Sequence, residues 1–115
     1  MDPHARLIRR CNQILAELAG LGPMRKGTLN EQYVATVHRD GSPGQRGPYT
    51  VYTRKEAGRT LSRRLSQPAQ IALYREQIAA FRRFQELTAE LARLSQQRAD
   101  LEAAGRPEGK KNSRR

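Results

Sequence analysis

The sequence predicts an α+β fold: an N-terminal helix, a three-stranded antiparallel meander and a long C-terminal helix with coiled-coil character. Three observations predict it. Apolar residues recur at helical spacing from Leu7 to Leu18 and again from Ile71 to Leu101. Between these stretches, from Thr28 to Leu65, the period changes to two, in residue types that favour a pleated strand. Clusters of Gly, Pro and polar residues separate the runs.

Asp2-Pro3 starts the first helix, an N-cap acceptor followed by a residue whose missing N–H costs nothing at the first helical position. Leu7, Ile8, Cys11, Ile14, Leu15 and Leu18 form one apolar stripe, and Gly20, Gly22 and Pro23 end the helix within residues 1–22. Met24–Gly27 is a basic linker. In the first strand, Thr28–His38, Leu29, Tyr33, Ala35 and Val37 alternate with polar residues, Glu31 being the exception on the apolar side. Arg39–Gly47 is expected to be a loop. A hairpin follows. Tyr49–Arg54 is its first strand, Lys55-Glu56-Ala57-Gly58 its turn with Gly58 at positive φ, and Arg59–Leu65 its second strand. A sheet of this size, residues 28–65, needs a helix across one face.

Ser66 or Gln67 caps the last helix, residues 67–104. Its apolar positions, Ile71, Tyr74, Ile78, Phe81, Phe84, Leu87, Leu91, Leu94 and Leu101, form two heptad-like seams offset by a three-residue stammer near Phe81–Leu87. Such a helix is about 54 Å long and outruns the sheet. Its later half has two possible partners. Leu87, Leu91, Leu94 and Leu101 pack on a second copy or another protein, or helix 1 folds back along them as an antiparallel hairpin. Gly105 and Pro107 stop the helix, and the tail, residues 105–115, is too polar and charged to order by itself. The expected organisation is one small domain, residues 1–104, with a basic tail.

Charge divides the chain more informatively than its total of +11. Residues 1–27 hold five bases and two acids, residues 28–65 seven and three, residues 66–104 five and five, and residues 105–115 five and one. A positive middle and tail flank a neutral long helix, so two different jobs are expected. An excess this large points first to nucleic acid as partner. No stretch approaches 18 apolar residues and the N-terminus lacks a signal-peptide core, which leads to the expectation of a cytoplasmic, nucleoid-associated protein and no membrane partner.

Catalytic chemistry has little to stand on. His4 and His38 belong to different elements, and the lone Cys11 lies on the apolar stripe, so neither a cysteine-based zinc site nor a disulfide is expected. The phosphate-binding, dinucleotide, metalloprotease and serine-hydrolase signatures are missing. The acids are scattered rather than clustered as a metal-dependent nuclease requires. The expectation is a non-enzymatic protein with no cofactor and no metal.

Binding chemistry is richer. Arg outnumbers Lys 18 to 4, and the planar fork of Arg suits bidentate contact with phosphate and guanine edges; a GC-rich genome would produce the same ratio without function. Tyr49 and Tyr52 lie on opposite faces of one strand, and Tyr52, sharing a face with Arg54, is expected outside, where it could stack on a base. Arg63 and Arg64 point opposite ways.

The stretches GTLNEQY, GPY, TRKEAGRT and FRRFQELTAEL, across residues 24–102, resemble an uncharacterised family of small basic prokaryotic proteins encoded near transposases and other mobile-element genes. Members commonly carry a Cys cluster just before Gly-Pro-Tyr. Here that region reads HRDGSPGQRGPY, so a metal role does not carry over. The resemblance implies genomic context and fold. In architecture, three strands followed by a helix are similar to the arm-type DNA-binding domain of integrases and to the plant AP2 domain, which lay the sheet in the major groove.

The resulting expectation is a nucleic-acid-binding accessory protein of a mobile element, DNA before RNA. Its contacts are Arg46, Tyr52, Arg54, Lys55, Arg59, Arg63, Arg64, Lys110 and Lys111. Leu87, Leu91, Leu94 and Leu101 form a dimerisation or partner-docking seam. The alternatives are a coiled-coil adaptor for a larger protein of a nucleoprotein complex, or a binder of structured RNA.

Overall fold

A computed structural model describes residues 2–105. The element order is α1 (Pro3–Gly20), β1 (Thr28–Val37), β2 (Pro43–Glu56), β3 (Arg59–Leu65) and α2 (Pro68–Ala104), the α+β arrangement that the periodicities predict. The chain divides into two compact units. A helical unit comprises residues 2–21 and 83–105, and a sheet unit spans Gly22–Arg82. The basic tail, with Lys110 and Lys111, lies outside the described residues.

The helical unit is an antiparallel helix pair. Asp2 caps α1, its side chain accepting from the Ala5 N–H at 2.7 Å. Cys11, Ile14, Leu87 and Leu94 form the core, with Leu7, Leu18, Leu21 and Leu91 packed around it. Leu7, Cys11, Ile14 and Leu18 advance in steps of four and three, as do Leu87, Leu91 and Leu94, so the two seams interdigitate as in a coiled coil. Each fully buried Leu or Ile contributes about 1.5–3 kcal/mol. Leu87 and Leu94 are therefore not an open docking seam. They close over α1, Leu91 is half-buried, and only Leu101, 44% exposed, remains accessible. The stripe on α1 is also narrower than expected. Leu15 is 51% exposed because it sits one position past the seam residue Ile14.

The sheet unit has strand order β1-β2-β3, with β2 central and both pairings antiparallel. β2 and β3 are joined by Ala57-Gly58, both in the left-handed region (φ 52° and 79°), as the tightest hairpin turns require. The first residues of α2 cross one face. Tyr74 and Ile78 pack on Tyr52 and Leu65, with Leu29 and Ile71 at the margin. The stammer in α2 falls at the boundary between the units, where the helix stops packing on the sheet and starts packing on α1.

Arg39–Gly47 is not a long loop. The turn is confined to residues 38–42, closed by the His38 N–H to the Ser42 carbonyl at 2.8 Å, and Pro43–Gly47 continues β2. Asp40 accepts from the Ser42 N–H and hydroxyl (2.9 and 2.6 Å), which holds its carboxyl below the usual aspartate range. Gly and Pro mark a bulge here rather than a loop: Gly47 and Pro48 together oppose Tyr33 where the β1–β2 register shifts. β3 pairs only with Thr50–Glu56, so beyond the bulge β1 and β2 run as a two-stranded ribbon. The alternation predicted for β1 is present but meets no core there. Tyr33 is 57% and Val37 75% exposed.

Candidate nucleic-acid interface

Strand register assigns every side chain of the sheet to a face, because directly paired residues share one and neighbours alternate. Tyr52 pairs with Leu29 and with Arg63, and Thr50 with Leu65, so these side chains share the face that α2 covers. Arg54 and Arg59 follow on that face toward the turn. The opposite face carries Asn30, Val51 and Arg64 in one row, Thr28, Thr53 and Ser62 in the next, and Lys55 with Thr60 beyond. Across the bulge Val34 and Arg46 continue it along the ribbon. Arg46, Lys55 and Arg64 are all exposed. Among the described residues of the three strands, this face holds no carboxylate, since Glu31 and Glu56 belong to the helix-covered face.

The open face has one aromatic, Tyr49. The Arg64 guanidinium lies over its ring at 3.8 Å, an arrangement that orients the fork without neutralising its charge. The expectation for the two tyrosines is thus reversed. Tyr52 is 6% exposed, meets Tyr74 edge-on with centroids 5.0 Å apart, and donates its hydroxyl to the Lys26 carbonyl. It cannot stack on a base. With the turn at Ala57-Gly58, β3 pairing places Tyr52 on the same face as Leu61 and Leu65, a parity that identifies the buried tyrosine once the turn is located.

The predicted cations therefore fall into two groups. Arg46, Lys55 and Arg64 share the open face. Arg54 and Arg63 share the other, beside Arg25 of the segment between α1 and β1. The linker is docked: the Arg25 N–H donates to the Gln77 carbonyl at 3.0 Å and its Nε to Gln77 Oε1 at 2.9 Å. The Arg25 guanidinium stacks 3.9 Å from the Tyr74 ring and 5.4 Å from that of Tyr52. Gly27 makes this path possible. At φ 125° an added Cβ would stand 2.5 Å from the Thr53 carbonyl and 2.6 Å from the Tyr52 ring. No composition signal marks Arg25, because its partners Tyr52, Tyr74 and Gln77 belong to other elements far along the chain.

Arg54 meets Glu56 at 3.3 Å, both exposed, a pairing of little energetic weight. Arg59 is exposed at the turn. Among the described residues no group of three or more His, Cys, Asp and Glu could hold a metal ion, and no helix is long and apolar enough to cross a membrane. No family model, curated protein or solved structure matches this chain.

Proposed function

We propose that the protein binds nucleic acid, DNA before RNA, through the face of the sheet that α2 leaves open. One observation carries the reading: Arg46, Lys55 and Arg64 stand on that face among Thr, Ser and Asn side chains, and both carboxylates of the three strands, Glu31 and Glu56, lie on the other face. Cations supply affinity for phosphates, and short polar side chains suit base edges and sugar oxygens. A twisted antiparallel sheet fits the wide major groove of B-form DNA, whereas the deep, narrow groove of an RNA duplex excludes it. The role that suits such a module is that of an accessory protein of a mobile element, the context that the sequence resemblance implies. The adaptor reading keeps Leu101 alone of its four leucines, since the other three serve the helix pair.

The test is fluorescence anisotropy of duplex DNA across a salt series. Arg46→Ala with Arg64→Ala is expected to weaken binding and to lower the salt slope by about two ions. Unchanged affinity and slope in this variant would remove the open face as the binding surface.

A further inference from the structure

The helix-covered face of the same sheet holds a second group of cations arranged differently from the first. Arg25, Arg54 and Arg63 line a cleft of about 270 Å³ together with Tyr52, Leu61 and Tyr74. Three guanidinium groups around one small space repel each other, and no carboxylate lines it. Of the three forks only Arg54 meets an acid, Glu56, at 3.3 Å. Each of the other two forks is held by neutral partners that leave donors spare. Arg25 spends Nε on Gln77 and its face on Tyr74, so its terminal nitrogens stay available. Arg63 gives one Nη to the Tyr74 hydroxyl at 3.1 Å. Since that hydroxyl accepts from Arg63, its own proton is left to donate.

We propose that this cleft binds a phosphoryl group, with Arg25, Arg54 and Arg63 as fork donors and the Tyr74 hydroxyl as a fourth. A planar carboxylate is satisfied by one fork, whereas the tetrahedral, multiply charged phosphoryl group has oxygens for several. Both tyrosine rings are 6% exposed, so the site reads the phosphate and not a base. Arg54 exchanges its long, exposed contact with Glu56 for the incoming anion. The site lies on the face away from Arg46 and Arg64, so it is independent of the open-face reading. The phosphoryl group belongs either to a nucleic-acid strand or to a free mononucleotide.

The experiment follows the arginine Nε–H resonances of the full chain by NMR, at constant ionic strength with chloride as balancing anion. Inorganic phosphate, a nucleoside 5′-monophosphate and oligonucleotides with and without a 5′-phosphate are titrated in turn. Saturable shifts at Arg25 and Arg63 are expected. Arg25→Gln and Arg63→Gln should each weaken binding about tenfold, and Tyr74→Phe, which keeps the ring and its packing, by a smaller factor. Arg46→Ala with Arg64→Ala should leave phosphate binding unchanged. Shifts with phosphate and the mononucleotide support the site with a small ligand as source. Shifts at Arg25 and Arg63 with oligonucleotides alone support it with the strand as source. No saturable shift of either resonance with phosphate, the mononucleotide or any oligonucleotide overturns the cleft, and oligonucleotide binding under that result spares the open face. Shifts that survive both glutamine variants also overturn it. Phosphate binding without any oligonucleotide affinity keeps the cleft and removes the open-face reading.

Discussion

The two units of this chain treat arginine in opposite ways. In the helical unit, six Arg balance six Asp and Glu among the described residues, and the best-placed of them are spent on each other. Arg10 forms a two-pronged pair with Glu90 (2.8 Å for each contact), and Arg83 does so with Glu17 (2.5 and 2.9 Å) while also reaching Glu86. The two cross-helix pairs are seven residues apart on both helices and set the same antiparallel register as the leucine seam. In the sheet unit, eleven Lys and Arg face four Asp and Glu, a net +7. There, apart from the exposed Arg54–Glu56 contact, the partners of arginine are tyrosine rings, a tyrosine hydroxyl and a glutamine amide. Carboxylates neutralise a cation; rings and neutral acceptors orient it and leave its charge in place. One unit uses arginine to hold two helices together, the other to present positive charge in fixed directions.

The largest expected effect separates core from surface. Leu87→Ala removes a side chain with no exposure from the helical unit and should cost about 2–5 kcal/mol, read by denaturant unfolding. If Leu87 instead served a partner, the same change would leave the isolated protein's stability nearly untouched.

Acid should distinguish the units next. Hydrogen bonds from Arg83 and Arg10 hold Glu17 and Glu90 below the usual glutamate range. Their contribution is complete above the unfolded-state pKa and is lost as pH falls through the lower folded values. Lowering pH from about 5 to about 3 should therefore loosen the α1/α2 pairing. The turn at Asp40, whose carboxyl is held down by Ser42, should loosen in the same direction as pH falls. The Arg25–Tyr74 stack contains no carboxylate and should persist. Residue-resolved NMR chemical shifts over this range check the contrast, and simultaneous loss of the stack would break it.

The smallest effect concerns the β2–β3 turn. Ala57 holds φ 52°, a region that costs a residue with a Cβ roughly 1 kcal/mol. Ala57→Asn creates the Asn-Gly pair that this turn prefers and should raise stability by up to about 1 kcal/mol, measured by thermal unfolding.

Much of this was legible before any coordinates. The cap at Asp2, the seam from Leu7 to Leu18, the turn before Arg59 and the span of α2 follow from local rules, because caps, periodicity and turn chemistry act over a few residues. Gly and Pro were the weaker guide, since Gly47-Pro48 marks a bulge inside a strand. The opposed directions of Arg63 and Arg64 were likewise readable from alternation alone.

Other decisions belong to the tertiary structure because they depend on segments far apart in the chain. Taken alone, β2 favours the wrong face, since Tyr49 and Val51 outweigh Tyr52; only its pairing with β3, which sets Leu61 and Leu65 beside Tyr52, and the arrival of Tyr74 and Ile78 there decide which tyrosine is buried. The leucines of α2 read the same whether α1 or a second molecule covers them, and the presence of Cys11 and Ile14 against Leu87 answers that only in three dimensions. Arg25 looked like linker because its value comes from Gln77, Tyr52 and Tyr74. A linear pattern states what each element can bury. Which partner it buries against is set by chain closure, and that is also what sorted the cations into an open face and a cleft.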